Sequence, residues 1–270
     1  MTDHPAWENL PSGDVARAVR TPAGTWVARY RVKGLRLSRA EGGGDAPAVF
    51  TVAASDLPAS APGPLAAALG SLGIVSRLAN PWLWDALTTA ILRQVVRAAQ
   101  ARILYRRWCQ AHGTAAEGTA GRLMLAPGPR TVLALADDAF AAAGAAFHRG
   151  VLKAAAAAYL DSEAQWAALD PPGLTAALET IPRVGPWTAQ AAAADYTGDF
   201  SVYPHGDLAV RTWARGAAPD VTWPGSTRDF EAMWRAFAST PHQLHCLTLL
   251  TLTWGCHAST SHNRSAATTP

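Results

Sequence analysis

Leu178-Glu179-Thr180-Ile181-Pro182-Arg183-Val184-Gly185-Pro186-Trp187-Thr188-Ala189, followed by Tyr203-Pro204-His205-Gly206-Asp207-Leu208, is the stretch that decides the fold. Pro182 and Gly185 punctuate an otherwise apolar pattern, which predicts a helix, a short sharp turn and a second helix. Pro186 suits the first turn of that second helix, where a missing N–H costs nothing. The alanines between Trp187 and Tyr196 favour helix and allow close packing. Asp207 lies twenty positions after Trp187, past a loop with Gly198 and Pro204, where a third helix begins. Such a hairpin presents backbone N–H groups and a helix N-terminus, a ready anion site whose natural guest is a nucleic-acid phosphate. A carboxylate beside a bound phosphodiester is electrostatically odd unless positive charge develops next to it.

These residues resemble the helix-hairpin-helix DNA glycosylase superfamily, and within it the bacterial 3-methyladenine DNA glycosylase II type. The family pattern is roughly Leu-x-x-hydrophobic-Pro-Gly-Val-Gly-x-Trp-Thr-Ala, then an aromatic or apolar residue with Pro-x-x-Asp-hydrophobic. The chain meets it at Leu178, Ile181, Pro182, Val184, Gly185, Trp187, Thr188, Ala189, Pro204, Asp207 and Leu208. A second match, the run from Trp84 to Val96 with Ala90-Ile91-Leu92-Arg93-Gln94, is similar to the family's Ala-Ile-x-x-Gln segment. Together the matches span about residues 81–255. One position departs: the first glycine of the family's Gly-Val-Gly is Arg183. If that position needs φ > 0, arginine carries a steric cost; its guanidinium could instead add a phosphate contact.

The resemblance implies a mostly α fold with a small N-terminal antiparallel β-sheet (α+β), two helical subdomains flanking a cleft, and an enzyme of base-excision repair. Asp207 is the catalytic candidate. Hydrolysis of an N-glycosidic bond passes through a positively charged, oxocarbenium-like sugar, which a fixed anion stabilises; the same carboxylate can orient or deprotonate the attacking water. An aspartate before an apolar run is equally a good N-cap, and the two roles can coexist. In bifunctional relatives a lysine that forms a Schiff base occupies the place of Trp187, and an indole cannot act as that nucleophile. A monofunctional, water-using enzyme is therefore implied.

Eleven tryptophans are available to stack on a cationic methylated purine. Trp187, Tyr203, Trp213 and Trp82 are the base-pocket candidates, with Trp84 near the last, although each reads equally as a core aromatic. Gln94 and Val95 match the segment that enters the duplex after the base is extruded, with Val95 as an apolar wedge or an ordinary core residue. Arg183 and the N–H groups of Val184, Gly185 and Trp187 are candidate DNA-phosphate contacts, with Thr188 beside them. The resemblance also places hairpin carbonyls that can hold Na+ or K+ at Glu179, Ile181 and Val184. Arg93, Arg97, Arg149 and Arg211 could add a basic rim, and Arg211 could instead pair with Asp207. His205 could reach the DNA backbone or the water.

The resemblance implies double-stranded DNA with a damaged base as the partner and a monomer as the binding form. Net charge of +3 is compatible with a polyanion. Three scattered cysteines, Cys109, Cys246 and Cys256, fit a reducing compartment rather than a disulfide framework. The iron-sulfur cluster of some relatives needs four thiolates, so no cluster is expected. Zinc at Cys246 and Cys256 with His245 and His257 fits no standard spacing. No apolar run is long enough to span a membrane and no signal peptide is evident, so a cytoplasmic, nucleoid-associated protein is expected.

Thr25–Val32 and Leu35–Arg39 alternate apolar and polar residues and read as a hairpin, with Ala48–Val52 a further strand. The expected organisation is a sheet subdomain over 1–63, a helical domain over 64–256 and a flexible polar tail over 257–270. Within the helical part, Asn80 reads as the N-cap of a helix from Trp82 to Gln100. Base specificity stays open. A bulky adduct, an oxidised base or a mismatch are alternative substrates on the same fold, and a non-catalytic DNA-binding module is a third reading.

Overall fold

The computed structural model describes residues 3–31, 34–118 and 120–266, with side chains to residue 256. In chain order the strands are β1 (Glu8–Asn9), β2 (Val15–Thr21), β3 (Gly24–Arg31), β4 (Gly34–Gly42), β5 (Val49–Ala53), β6 (Ile74–Leu78), β7 (Thr114–Gly118) and β8 (Gly121–Leu125). The helices are α1 (Gly63–Gly70), α2 (Leu83–Leu92), α3 (Ala98–His112), α4 (Pro129–Ala134), α5 (Asp137–Ala142), α6 (Arg149–Ala167), α7 (Pro171–Glu179), α8 (Pro186–Thr197), α9 (Leu208–Ala217), α10 (Thr227–Ala236) and α11 (Pro241–Ala266). They divide into two compact units that do not follow chain order: one joins His4–Ala48 to Ala79–Gly198, the other joins Asp3 and Val49–Leu78 to the chain from Asp199 on.

In the first unit, β1 to β4 form an antiparallel meander in sequence order. The β7–β8 hairpin lies against it, and Ala16, Ala18, Val27, Ala116, Leu123 and Leu125 make the shared core. Small alanines on β2 let the hairpin approach closely. Every residue of α2 is buried, and that helix packs on α6 and α8. Burial all round explains why its sequence is apolar on every face. Trp84 fills the centre and its indole N–H donates to the Pro127 carbonyl at 2.7 Å.

Asp85, also on α2, is buried with charged and polar partners. Arg17 of β2 donates to it at 3.1 Å, Tyr105 of α3 at 2.6 Å and Asn80 at 3.2 Å. His4 Nδ1 accepts the Ala6 N–H, which leaves the proton on Nε2, 3.3 Å from the carboxylate. Burial and the Arg17 charge push the His4 pKa down, so His4 serves as a neutral donor and Arg17 supplies the balancing charge. Burial would raise the Asp85 pKa, but these partners win and hold it well below the usual carboxylate range.

In the second unit, β5 pairs antiparallel with β6, and α1 and α9 pack on α11. Phe230 and Trp234 of α10 stack at 5.5 Å, and the Trp234 indole donates to Thr248 of α11 at 3.1 Å.

Several local expectations change. The helix expected from Trp82 to Gln100 is broken between α2 and α3, where Val95 takes φ 62° and cannot continue a right-handed helix. Asn80 is not its N-cap; Trp82 holds that position without a side-chain bond, and the Asn80 amide is spent on Asp85 and Asp195 instead. The strand near Val49 pairs with β6 and not with the N-terminal meander. The backbone of α11 continues to Ala266, through residues expected to form a loose tail. Val32 and Lys33, and the last four residues, lie outside the described residues.

Candidate functional site

The hairpin forms where the sequence placed it. Leu178 and Ile181 are buried, and the Ile181 N–H donates back to the Leu178 carbonyl at 3.1 Å. The Val184 N–H then donates to the Ile181 carbonyl at 3.0 Å and closes the turn. Between them Arg183 has φ 70°, the left-handed conformation the family's glycine would adopt freely. Its guanidinium lies 5.8 Å over the exposed Phe147 ring.

The turn sorts the expected phosphate donors. The Val184 N–H is consumed inside it, so Val184 contributes a buried anchor and not a phosphate contact. Gly185 and Trp187 keep N–H groups without a backbone partner among the described residues, at the N-terminus of α8. Thr188 is buried; its hydroxyl accepts from the Gln94 amide at 2.8 Å. Of the three carbonyls expected to face a cation, Ile181's already accepts one N–H. Those of Glu179 and Val184 accept none from the backbone among the described residues, so an electropositive partner fits them.

Gln94 also donates to the Arg183 carbonyl at 3.3 Å, and this ties the turn after α2 to the hairpin. Next to it Val95 is 88% exposed. It is not the core residue its spacing allowed: a β-branched apolar side chain stands in solvent on a left-handed backbone. Outliers of this kind cluster at functional sites.

The aromatics are less free than expected. Trp187 is half-buried with the Arg93 guanidinium 5.4 Å over its ring, and Trp82 is half-buried under Arg20 at 4.5 Å. Each thus has a cation on one face already. Trp84 is wholly core. In the other unit Trp213 lies across α11 at Gly255, where a Cβ would collide with the indole. Lys153 is engaged with Asp137 at 3.9 Å and with the Phe140 ring at 5.6 Å. Arg149 pairs with Asp137.

Asp207 stands at the N-cap position of α9, and its backbone does what a cap does: its carbonyl accepts the Arg211 N–H at 3.0 Å. Its side chain does not cap. The carboxylate makes no bond to the first turn and instead accepts the Tyr203 hydroxyl at 2.7 Å. Tyr203 is buried, with its ring stacked on Phe200 at 5.5 Å. Phe200 is in turn held by its N–H donating to His245 Nδ1 at 2.9 Å and by Arg77 over its ring at 4.9 Å. So Tyr203 acts on the carboxylate through its hydroxyl. This is a role the sequence left unassigned, and its only signal was a tyrosine four positions before the aspartate.

Arg211 turns away from Asp207 to the Thr227 hydroxyl at 2.6 Å and the Gly225 carbonyl at 3.1 Å. His205 is buried and neither ring nitrogen makes a hydrogen bond of good geometry, so it is not placed to touch solvent or DNA. Burial first, then the Arg235 charge, push its pKa down to about 3 against a smaller opposing pull from the Phe200 backbone. Gly206 lets this loop run flush against α10, since a Cβ would come within 2.6 Å of the Thr227 methyl.

No protein-family model matches the chain, and no curated protein matches its sequence. Solved structures do match. MBOgg1 bound to a low-affinity DNA ligand superposes with TM-score 0.69 at 14% identity, covering 94% of this chain and 88% of that one. The 3-methyladenine DNA glycosylase of Archaeoglobus fulgidus gives 0.68 at 14%, covering 93% and 89%. The Clostridium acetobutylicum 8-oxoguanine glycosylase/lyase, bound to duplex DNA with cytosine opposite 8-oxoguanine, gives 0.67 at 13%, covering 96% and 90%. No described helix is long and apolar enough to cross a membrane. At this identity the likeness is one of fold: the chain has the helix-hairpin-helix DNA glycosylase fold.

Proposed function

We propose that the chain is a monofunctional DNA glycosylase of base-excision repair that removes alkylated purines of the 3-methyladenine class from duplex DNA. The observation that carries this reading is the Asp207 carboxylate, released from capping its own helix and oriented by Tyr203. An oriented anion is what an oxocarbenium-like sugar requires as the bond to the base breaks. The cationic alkylated base leaves with the bonding electrons as a neutral purine. Water adds to the sugar carbon and gives up a proton, which the carboxylate can accept.

The remaining roles follow from local geometry. The Gly185 and Trp187 N–H groups and Arg183 would hold a DNA phosphate at the head of α8, and Na+ or K+ at the Glu179, Ile181 and Val184 carbonyls would offset its charge. Val95 would fill the gap left by the extruded nucleotide, with Gln94 fixing the turn that carries it. Trp187, Trp82 and Trp213 remain the aromatic surfaces for a cationic base. Tyr203 is reassigned to positioning Asp207.

A second substrate reading, excision of an oxidised base, has a specific observation in its favour: a solved structure of the same fold is an 8-oxoguanine glycosylase/lyase. The two readings separate in one experiment. Duplexes carrying 3-methyladenine, 7-methylguanine or 8-oxoguanine are incubated with the chain, and free base and strand breaks are measured separately. Release of methylated purine with the strand intact supports the proposal. Release of 8-oxoguanine with a borohydride-trappable protein–DNA adduct contradicts it. Binding to every duplex with no base released leaves the DNA-binding module.

A further inference from the structure

Away from Asp207, three potential metal ligands from distant parts of the sequence meet on the second unit. Asp56 ends a single helical turn, Ala54–Asp56, that packs on α11, and His242 and Cys246 lie four residues apart on that helix and so share a face. His242 Nε2 is 3.5 Å from Cys246 Sγ and 3.7 Å from Asp56 Oδ2, and the three ligand atoms lie within 4.8 Å of one another.

The same imidazole nitrogen faces both the thiol and the carboxylate. A nucleophilic relay would need the carboxylate on Nδ1 and the thiol on Nε2, because a proton taken at one nitrogen is stabilised from the other. Convergence on one nitrogen suits a shared central atom instead. Tetrahedral zinc with Zn–S of about 2.3 Å and Zn–N of about 2.0 Å sets those two ligand atoms ~3.5 Å apart. The Cys246–His242 separation of 3.5 Å already has that value. The carboxylate needs only a small inward movement, and the side chains of Asp56 and His242, 41% and 67% exposed, are free to make it.

We propose that Asp56, His242 and Cys246 form a binding site for Zn2+ or a similar borderline-soft divalent ion. The donor set of one thiolate, one imidazole and one carboxylate suits zinc and is too soft for magnesium or calcium. The fourth position opens to water on the exposed side. His245 stacks parallel to His242 at 6.2 Å, but its Nδ1 is taken by the Phe200 N–H. Bound metal would pin the turn at Asp56 to α11 across the gap between residues 56 and 242, and would stabilise this unit by mass action. Burial, then the Asp56 charge, push the free Cys246 thiol up to about 11, so the ion would have to displace its proton.

Cobalt(II) is the probe, titrated into the full chain under a non-thiol reductant. The expected result is one equivalent bound, with a thiolate-to-cobalt charge-transfer band and the ligand-field bands of a tetrahedral centre. His242→Ala and Asp56→Ala, both at exposed positions that leave the fold intact by circular dichroism, should weaken binding at least tenfold. Cys246→Ser should abolish the charge-transfer band, and Cys256→Ser should keep it. In parallel, Zn2+ should raise the melting temperature of the wild type and not of His242→Ala. Absence of the band in the wild type overturns the proposal. So does a band of undiminished affinity in His242→Ala, or one lost in Cys256→Ser, which would move the ion to the end of the chain.

Discussion

Replacing Val95 with glycine should make the protein more stable and a worse enzyme. Val95 has φ 62° and its side chain is 88% exposed. A left-handed conformation costs an L-residue roughly 1–2 kcal/mol, and a β-branched one sits at the upper end. Glycine removes that cost but adds back roughly 0.5–1 kcal/mol through the greater freedom of its unfolded chain. Almost no apolar burial is lost, because the side chain is already in solvent. The net gain is about 1 kcal/mol, read as a rise in denaturation midpoint with unchanged slope. Excision should fall, because glycine has nothing with which to hold open an unstacked duplex; about 1–3 kcal/mol of lost wedging corresponds to roughly 5- to 150-fold in single-turnover rate. Val95→Leu should keep much of the rate and none of the stability gain. If Val95→Gly is less stable than the wild type, the strain argument is wrong. A more stable Val95→Gly that excises at the wild-type rate would show that the side chain does not enter DNA.

Tyr203→Phe keeps the ring on Phe200 and removes the hydroxyl from Asp207. A hydrogen bond to a charged group of about 1.5–3 kcal/mol makes the expected loss roughly 10- to 150-fold in single-turnover rate with duplex affinity unchanged, measured by rapid quench and by anisotropy. Asp85 carries a pH signature. Its carboxyl is held below the unfolded value of about 3.9, so its contribution is fully present above that pH and is lost as acid protonates it in the folded state. Denaturation midpoints should already decline from about pH 7 to 5, where unfolding protonates His4 and His205, which burial keeps neutral in the fold, and Asp85 adds a steeper loss below about pH 4 that Asp85→Asn lacks. Asp85→Asn should lose about 3–5 kcal/mol at neutral pH, because Arg17 is left buried without its counter-charge. A variant as stable as the wild type would show that Arg17 finds another partner.

The hairpin was legible because its signals are local. Pro182, Gly185 and Pro186 punctuate a turn whose hydrogen bonds close within four residues, and the alanines of α8 can only pack closely. The break after α2 was not legible. No glycine or proline marks it, and valine is among the poorest predictors of a left-handed backbone. The conformation is imposed from elsewhere, by Gln94 reaching Arg183 and Thr188 far along the chain. The short β7–β8 hairpin was missed for a related reason: alanines and glycines carry little β-propensity, and the hairpin is supported by packing on β2, β3 and β4 from far along the chain. Asn80 looked like a cap because short polar residues before helices usually are caps; a buried carboxylate nearby claimed its amide instead. Asp207 stood out by its motif, yet what supports the proposed catalytic role over a plain helix cap is the Tyr203 bond, a contact between loop residues with no periodic pattern to reveal it. The Asp56, His242 and Cys246 cluster joins ends of the chain that no spacing rule connects.

The most direct test of the account is Asp207→Asn on a duplex carrying a single alkylated purine, with base release and binding measured on the same preparation. Asparagine keeps the shape and the α9 backbone start but cannot offer a negative charge to the sugar. The account predicts wild-type duplex affinity and a single-turnover excision rate lower by about 100-fold or more. Release of alkylated base at the wild-type rate would contradict it.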